Sequence, residues 1–303
     1  MHYGEVRTST IAAAGSRIRV IEDGTGEQAV LFVHGVGGWA ENWSEAIERV
    51  AASGRRGVAF DLPGFGDSTK VDGARYFDPR EPFYPAVVDG VRRALGLERP
   101  HLVGHSLGGG IVAVTAVVHP EAWRSMTLVA PGGFGPDIAL FLRVFSLPFM
   151  GITTWLPRPA SAGRAVLESC FYDRAKIPAH LYEESARYDR TYPETLRVMR
   201  AVATFRGVRR SLREAWLARA GEYRGPVQVV WGRQDGIIPA SHVDELKRAY
   251  PDAELRVIED AGHLVMPEQP EAFAAALLPF LDRVERGSAA ARTMGPGVAH
   301  QER

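Results

Sequence analysis

The chain has 303 residues, 46% hydrophobic and 24% charged, with a formal net charge of zero. That length and apolar content suit one α/β body carrying an insertion, and the balanced charge excludes an electrostatic case for nucleic acid as a partner. The one cysteine, Cys170, excludes an internal disulfide and a cysteine-based metal site, and it lacks the flanking pattern of a catalytic thiol.

The N-terminus has no charged start followed by an apolar run, so no secretory signal is expected and a cytoplasmic location is read. Arg17 to Ile21 is a short alternating strand, and Ala29 to Val33 is a continuous apolar run suited to a strand buried on both faces. His34-Gly35-Val36-Gly37-Gly38 ends it. A helix is expected from Asn42 to about Ala52, with Trp43, Ile47 and Val50 at helical spacing. Gly57 to Phe60 is the next strand, Pro82 to Leu95 a helix, His101 to Val103 a strand and Leu107 to about Val118 an apolar helix. Met126 to Ala130 is another buried strand, stopped by Pro131-Gly132-Gly133.

The alternation then breaks. From Phe134 to about Arg213 the pattern is helical with prolines and no convincing strand. Ile138 to Leu156 is the most apolar long stretch, but Arg143 and Pro148 interrupt it, so it predicts amphipathic helices and no membrane insertion. The segment 134–213 carries thirteen basic against seven acidic side chains, including a run of Arg197, Arg200, Arg206, Arg209, Arg210 and Arg213 with no acid among them. A solvated helix face accounts for that run better than an anion site does. Alternation resumes with a strand at Val227 to Trp231, a helix at Ala240 to Tyr250, a strand at Leu255 to Ile258 and a helix from Pro270 to about Val284. Alternating strands and helices imply a mostly parallel sheet with right-handed crossovers. The tail from Gly287 to Arg303 is rich in Gly, Ala and Ser without periodicity and is expected to be disordered.

The chemistry centres on Gly104-His105-Ser106-Leu107-Gly108, a Gly-x-Ser-x-Gly between a strand and a helix. The chain must reverse there in one tight turn with a hydroxyl at its tip, and the helix that follows aims its unpaired N–H groups at developing negative charge. A serine nucleophile needs a base and the base an orienting acid. Among nine histidines, His263 in Asp260-Ala261-Gly262-His263 follows the last strand, where a loop can lean over the same sheet edge. Asp235, after the Val227 strand, is the preferred acid over Asp260 and Asp137. Backbone N–H groups of Leu107 and Val36, with Gly37 as the alternative to Val36, are the expected oxyanion donors. His34 and His105 flank these parts and read first as packing residues. His34 is kept beside Gly37, Phe134 and Leu264 as a candidate for substrate contact.

Together His34-Gly35, Asp61 to Ser68, Gly104 to Gly109, Trp231 to Asp235 and Gly262-His263, in this order, resemble the α/β-hydrolase superfamily with a helical cap, over about residues 17–284. The resemblance implies an α/β-hydrolase fold with 1–133 and 214–286 as its core and 134–213 as a cap over the active site. It implies a carboxylesterase that cleaves short- to medium-chain esters without metal or organic cofactor, as a monomer or homodimer. Pro131-Gly132-Gly133 and Asp61 to Ser68 are also similar to hydrolases that cut a carbon–carbon bond in meta-cleavage products. His105 and Leu264 depart from that group, which often has asparagine and tryptophan there. A ligand receptor on the same fold is the non-enzymatic alternative.

Overall fold

The computed structural model describes residues 6–77, 83–155 and 161–293. Eight strands form one sheet: β1 (Arg7–Ala13), β2 (Ser16–Asp23), β3 (Ala29–Val33), β4 (Arg56–Phe60), β5 (His101–His105), β6 (Ser125–Val129), β9 (Val227–Gly232) and β10 (Glu254–Ile258). Their order across the sheet is β1-β2-β4-β3-β5-β6-β9-β10. The pairs β1–β2 and β2–β4 are antiparallel, and the rest are parallel.

The central strands are apolar throughout because both faces of the sheet are covered. In β3, Leu31 and Val33 belong to one core and Val30 and Phe32 to the other. The first core is closed by α2 (Phe83–Ala94) and α3 (Leu107–Val118), through Val87, Val88, Val91, Ile111 and Val112. The second is closed by α1 (Ser44–Ala52) and α11 (Pro270–Thr293), through Ile47, Val50, Phe273, Leu277 and Leu281. At roughly 1.5–3 kcal/mol per buried large apolar side chain, these two layers supply the main drive to fold.

Between β6 and β9 the chain leaves the sheet and makes α4 (Leu140–Phe145), a 3₁₀ segment (Pro148–Trp155), α5 (Ser161–Ser169), α6 (Ala179–Tyr188), α7 (Tyr192–Val202) and α8 (Arg210–Ala220), while α9 (Val243–Ala249) and α10 (Val265–Glu268) follow β9 and β10. Three expectations change here. A two-residue hairpin, β7 (Ala203–Thr204) with β8 (Gly207–Val208), interrupts the helical segment that was read as strand-free. The first strand, β1, went unread: its exposed RTSTIAA sequence lies at the sheet edge and lacks a buried alternation. The last helix runs to Thr293, so residues 287–293 are helical rather than disordered, and 294–303 lie outside the described residues. Ala289, Ala290 and Ala291 explain it, since alanine is the strongest helix former. The expected start of α2 at Pro82 also falls outside the described residues.

The inserted segment is tied to the loop after β4 at two carboxylates, Glu194, which accepts from the Tyr76 hydroxyl, and Asp67. Asp67 accepts from Arg187 at 2.7 Å, from Arg190 at 2.5 Å and from the Tyr188 hydroxyl at 3.0 Å. Arg190 also donates to the Gly66 carbonyl at 3.0 Å, and the Tyr188 ring packs on Trp39 at 5.6 Å between centroids. No helix among the described residues is long and apolar enough to cross a membrane.

Candidate active site

Ser106 stands between β5 and α3 with φ 54° and ψ −119°, a conformation that non-glycine residues rarely adopt. The strain is held by the backbone around it. Ser106 N–H donates to the Val129 carbonyl at 2.9 Å, and the Ser106 carbonyl accepts from Gly132 N–H at 2.8 Å. The two motif glycines have a steric reason. A Cβ on Gly104 would collide with the Gly108 carbonyl, and one on Gly108 with the carbonyl oxygens of Val33 and His34. The turn can form only because both side chains are absent.

His263 and Asp235 meet across two loops at the C-terminal ends of β9 and β10. His263 Nδ1 and Asp235 Oδ2 are 2.7 Å apart, with both side chains buried. The other carboxylate oxygen, Oδ1, accepts from the N–H groups of Ile237 at 2.8 Å and Ile238 at 2.9 Å. The aspartate is thus fixed by its own loop and presents one oxygen to the imidazole. The histidine loop is braced as well. Its N–H groups at His263 and Leu264 donate to the Cys170 carbonyl at 2.8 and 3.1 Å, and Gly262 N–H donates to Glu268 at 2.7 Å. Among the described residues no hydrogen bond joins the Ser106 hydroxyl to the His263 ring; in an unliganded site that contact is often long and tightens with substrate.

His105, next to Ser106 in sequence, sits under the histidine loop. Its ring is 4.5 Å from the His263 ring, and its Nε2 donates to the His263 carbonyl at 3.0 Å. Burial and the neighbouring His263 hold it well below the usual histidine range, so it is a neutral brace.

His34 does not contact substrate space, contrary to expectation. Its Nδ1 donates to the Gly35 carbonyl at 2.7 Å and its Nε2 accepts from Leu62 N–H at 2.9 Å. Both nitrogens are spent within the protein and the ring is fully buried. Burial pushes it down to about 4, which keeps it neutral. It fixes the start of the loop that carries Val36 and Gly37. Among the described residues the N–H groups of Val36 and Leu107 make no hydrogen bond. The first N–H groups of a helix have no partner within it, which leaves Leu107 N–H open to a ligand.

Over Ser106 lies a cavity of about 130 Å³. Loops of the sheet edge give it Val36, Gly37, Ser106, His263 and Leu264, and the inserted segment gives it Phe141, Phe145, Leu167, Tyr188 and Tyr192. So Gly37 and Leu264 do line this space. Phe134 does not: it is buried on the other side, with its ring 6.1 Å from that of Tyr250. The Gly132-Gly133 turn before it points the chain away from the cavity. Of the other aromatics in the segment, Phe149, Trp155 and Tyr172 are exposed and Phe171 is buried. Trp39, Asn42, Tyr188, Tyr192 and Thr195 line the cavity without having been read from the sequence. Their only sequence signal is an aromatic or polar side chain near a motif, and the pairing of loop with inserted helix decides the rest. Asp189 stands on the cavity wall, and no described Lys or Arg lines it. Among the described residues no three His, Cys, Asp or Glu side chains are grouped as a metal site.

Comparison with known proteins agrees with this architecture. A family model described as the alpha/beta hydrolase fold matches residues 28–270. The dihydrolipoyllysine-residue acetyltransferase component of the acetoin cleaving system of Cupriavidus necator is 33% identical over 268 residues. That match covers 87% of this chain and 66% of the relative, so the chain spans just under two thirds of that protein's length. A 2-hydroxy-6-oxo-6-phenylhexa-2,4-dienoate hydrolase of Comamonas testosteroni is 30% identical over 270 residues, covering 86% of this chain and 89% of its own. The solved structure of a membrane phospholipase A, described as a bacterial virulence factor, superposes with a TM-score of 0.75 at 25% identity, over 92% of this chain and 87% of that one. With its eight-stranded, mostly parallel sheet and its serine at a strained strand-to-helix turn, the chain belongs to the α/β-hydrolase fold family.

Proposed function

We propose that the protein is a serine carboxylesterase acting on neutral esters of short- to medium-chain acids through an acyl-enzyme. The observation that carries this reading is the cavity over Ser106, which has apolar and aromatic walls, one carboxylate at Asp189 and no described cation. A neutral ester is at home there. An acidic substrate would find no guanidinium or ammonium among the described side chains that line it.

In this mechanism His263, kept in one tautomer by Asp235, takes the proton from the Ser106 hydroxyl as the oxygen attacks the ester carbonyl. The N–H groups of Leu107 and Val36 hold the oxyanion, each worth about 3 kcal/mol of transition-state stabilisation. His263 then protonates the leaving alcohol. In the second half it activates water, and the acyl-enzyme is hydrolysed. The segment 134–213 acts as a cap that supplies the apolar wall and excludes bulk water.

A second reading is hydrolysis of a carbon–carbon bond, favoured by the 30% identity to the dienoate hydrolase over most of both chains. That relative's substrate is by name a carboxylate, and the cavity here has no described cation to match it.

Steady-state hydrolysis of p-nitrophenyl esters of increasing acyl length tests the proposal, with Ser106→Ala beside the wild type. Repeated turnover by the wild type and a fall of about 10⁴ or more in kcat for the variant is the expected outcome. Failure to turn over any ester, with loss of colour from a dienone acid, would put carbon–carbon cleavage in its place. A single release followed by a stall would point to a receptor.

A further inference from the structure

The cavity over Ser106 has a side branch. A pocket of about 50 Å³ adjoins the nucleophile and shares Val36, Ser106 and Leu142 with the main cavity. It is lined by Leu107 on the nucleophile side and by Trp216 of α8. The same indole lines a separate and larger cavity of about 320 Å³, walled by Phe77, Ile111, Val114, Val117 and Leu212. Among the described residues Trp216 is the only one that lines both spaces.

The indole is held in place by missing side chains. A Cβ on Gly110 would stand 2.9 Å from its Cζ3, and a Cβ on Gly133 would collide with the same ring. One glycine lies in the first turns of α3 and the other in the loop after β6, so the ring is slotted between two backbones that meet at the elbow. The ring of Phe77 packs on it at 5.9 Å between centroids.

We propose that Trp216 is the residue that sets the acyl-chain length of the substrate, by closing the branch beside Ser106 off from the second cavity. The inference rests on the reading of Ser106 as the acyl acceptor. With its carbonyl at Ser106 and its oxygen toward Val36 and Leu107, an acyl group can send its chain into the branch. A short chain ends against the indole. A long unbranched chain needs the apolar space behind it. The lining of that space includes the polar side chains of Tyr76, Tyr84, Tyr250, Arg209, Ser211 and Arg219, and the rest is hydrocarbon and aromatic surface.

The test reads binding alone, on Ser106→Ala protein titrated by calorimetry with n-alkyl methyl ketones from butanone to tetradecanone. With Trp216 present, affinity rises over the first few methylenes and then levels off. In Ser106→Ala/Trp216→Ala it continues to rise, by about fourfold per added methylene. Trp216→Leu, which keeps apolar bulk on α8 and guards against misfolding of the alanine variant, extends the rise part of the way. Adding Val114→Phe, which takes up part of the second cavity, makes the rise level off at a shorter chain. The same plateau with and without the indole overturns the proposal, as do long ketones that bind equally well with Trp216 in place. Because no turnover is involved, an unchanged plateau sinks the partition while ester hydrolysis stands. Absence of ester turnover sinks the hydrolase reading and leaves the ketone series unaffected.

Discussion

His34 is buried in its neutral form, and this has a thermodynamic consequence. An unfolded histidine binds a proton below about pH 6.5. The folded one resists protonation until about pH 4, because burial opposes the charge. The unfolded state therefore binds more protons in that window, and stability falls as pH drops through it. From pH 7 to about pH 5 the contribution of His34 alone is about 2 kcal/mol. His101, His105 and His242 are lowered by burial too and act in the same direction. Asp61, pushed by burial up to about 6, works in the opposite sense, since its folded form gains the proton first as pH falls. Urea titrations across this range, on the wild type and on His34→Gln, isolate the histidine. The variant should lose about that much of the slope, and an equal slope in both would refute the account. At this scale the placement of Ser106, Asp235 and His263 at one edge was legible because each follows a strand, and strand ends of a parallel sheet share one edge. His34 follows a strand as well. Its role turned on where its ring points, and that is set by Leu62 N–H, 28 residues away. Phe134 was misplaced for a similar reason, since the glycines before it leave the direction of the chain open.

Asp67 is one of the places where the inserted helices are tied to the sheet's edge. Arg187 and Arg190 are about half exposed, so each pair contributes only about 0.2–1 kcal/mol. What matters is their joint action on one carboxylate at the end of α6. Asp67→Asn keeps the shape and removes the charge. Global stability should drop by about 1 kcal/mol or less, while proteolytic cleavage between residues 161 and 188 should speed up by about fivefold, as a local opening made easier. Limited proteolysis beside a urea titration checks both. Unchanged cleavage would mean that packing of Tyr188 on Trp39 holds the segment without the ions. Elements with two buried faces were the most legible, since a continuous apolar run between turns has few other readings. Those built on exposed or weakly patterned sequence were not, as β1, the β7–β8 hairpin and the last turns of α11 show.

The C-terminal helix is anchored to the rest of the molecule by Arg55, which has a buried guanidinium at the turn before β4. It donates to Glu285 at 2.8 Å, to Asp282 at 2.5 Å and to the Ser53 hydroxyl at 2.8 Å. Glu285 in turn contacts the buried His101 at 3.1 Å. Arg55→Met should cost about 2 kcal/mol, less than a fully buried pair because Asp282 is half exposed. A shift in urea midpoint without a change in slope would show it, and no shift would mean that α11 is held by its apolar face alone. The fold as a whole was readable because each strand announced itself and the order of motifs fixed the order of parts. The shape of the cavity was not, since it arises where chain segments far apart in sequence come together. One topological fact bears on how such a protein can diversify. The segment that walls the cavity leaves from β6 and returns at β9, and these two strands are neighbours in the sheet. The pair is parallel, with Val129 opposite Val230 and Val227 opposite Met126, so the segment leaves toward one end of the sheet and returns from the other, its ends held about 10 Å apart along the strands whatever the length of chain between them. Changes of length within that segment leave the hydrogen-bond ladder of the sheet in register, and the His263 loop stays braced as long as the Cys170 carbonyl it donates to is kept. The chamber can be resized in this way while Ser106, Asp235 and His263 stay where they are.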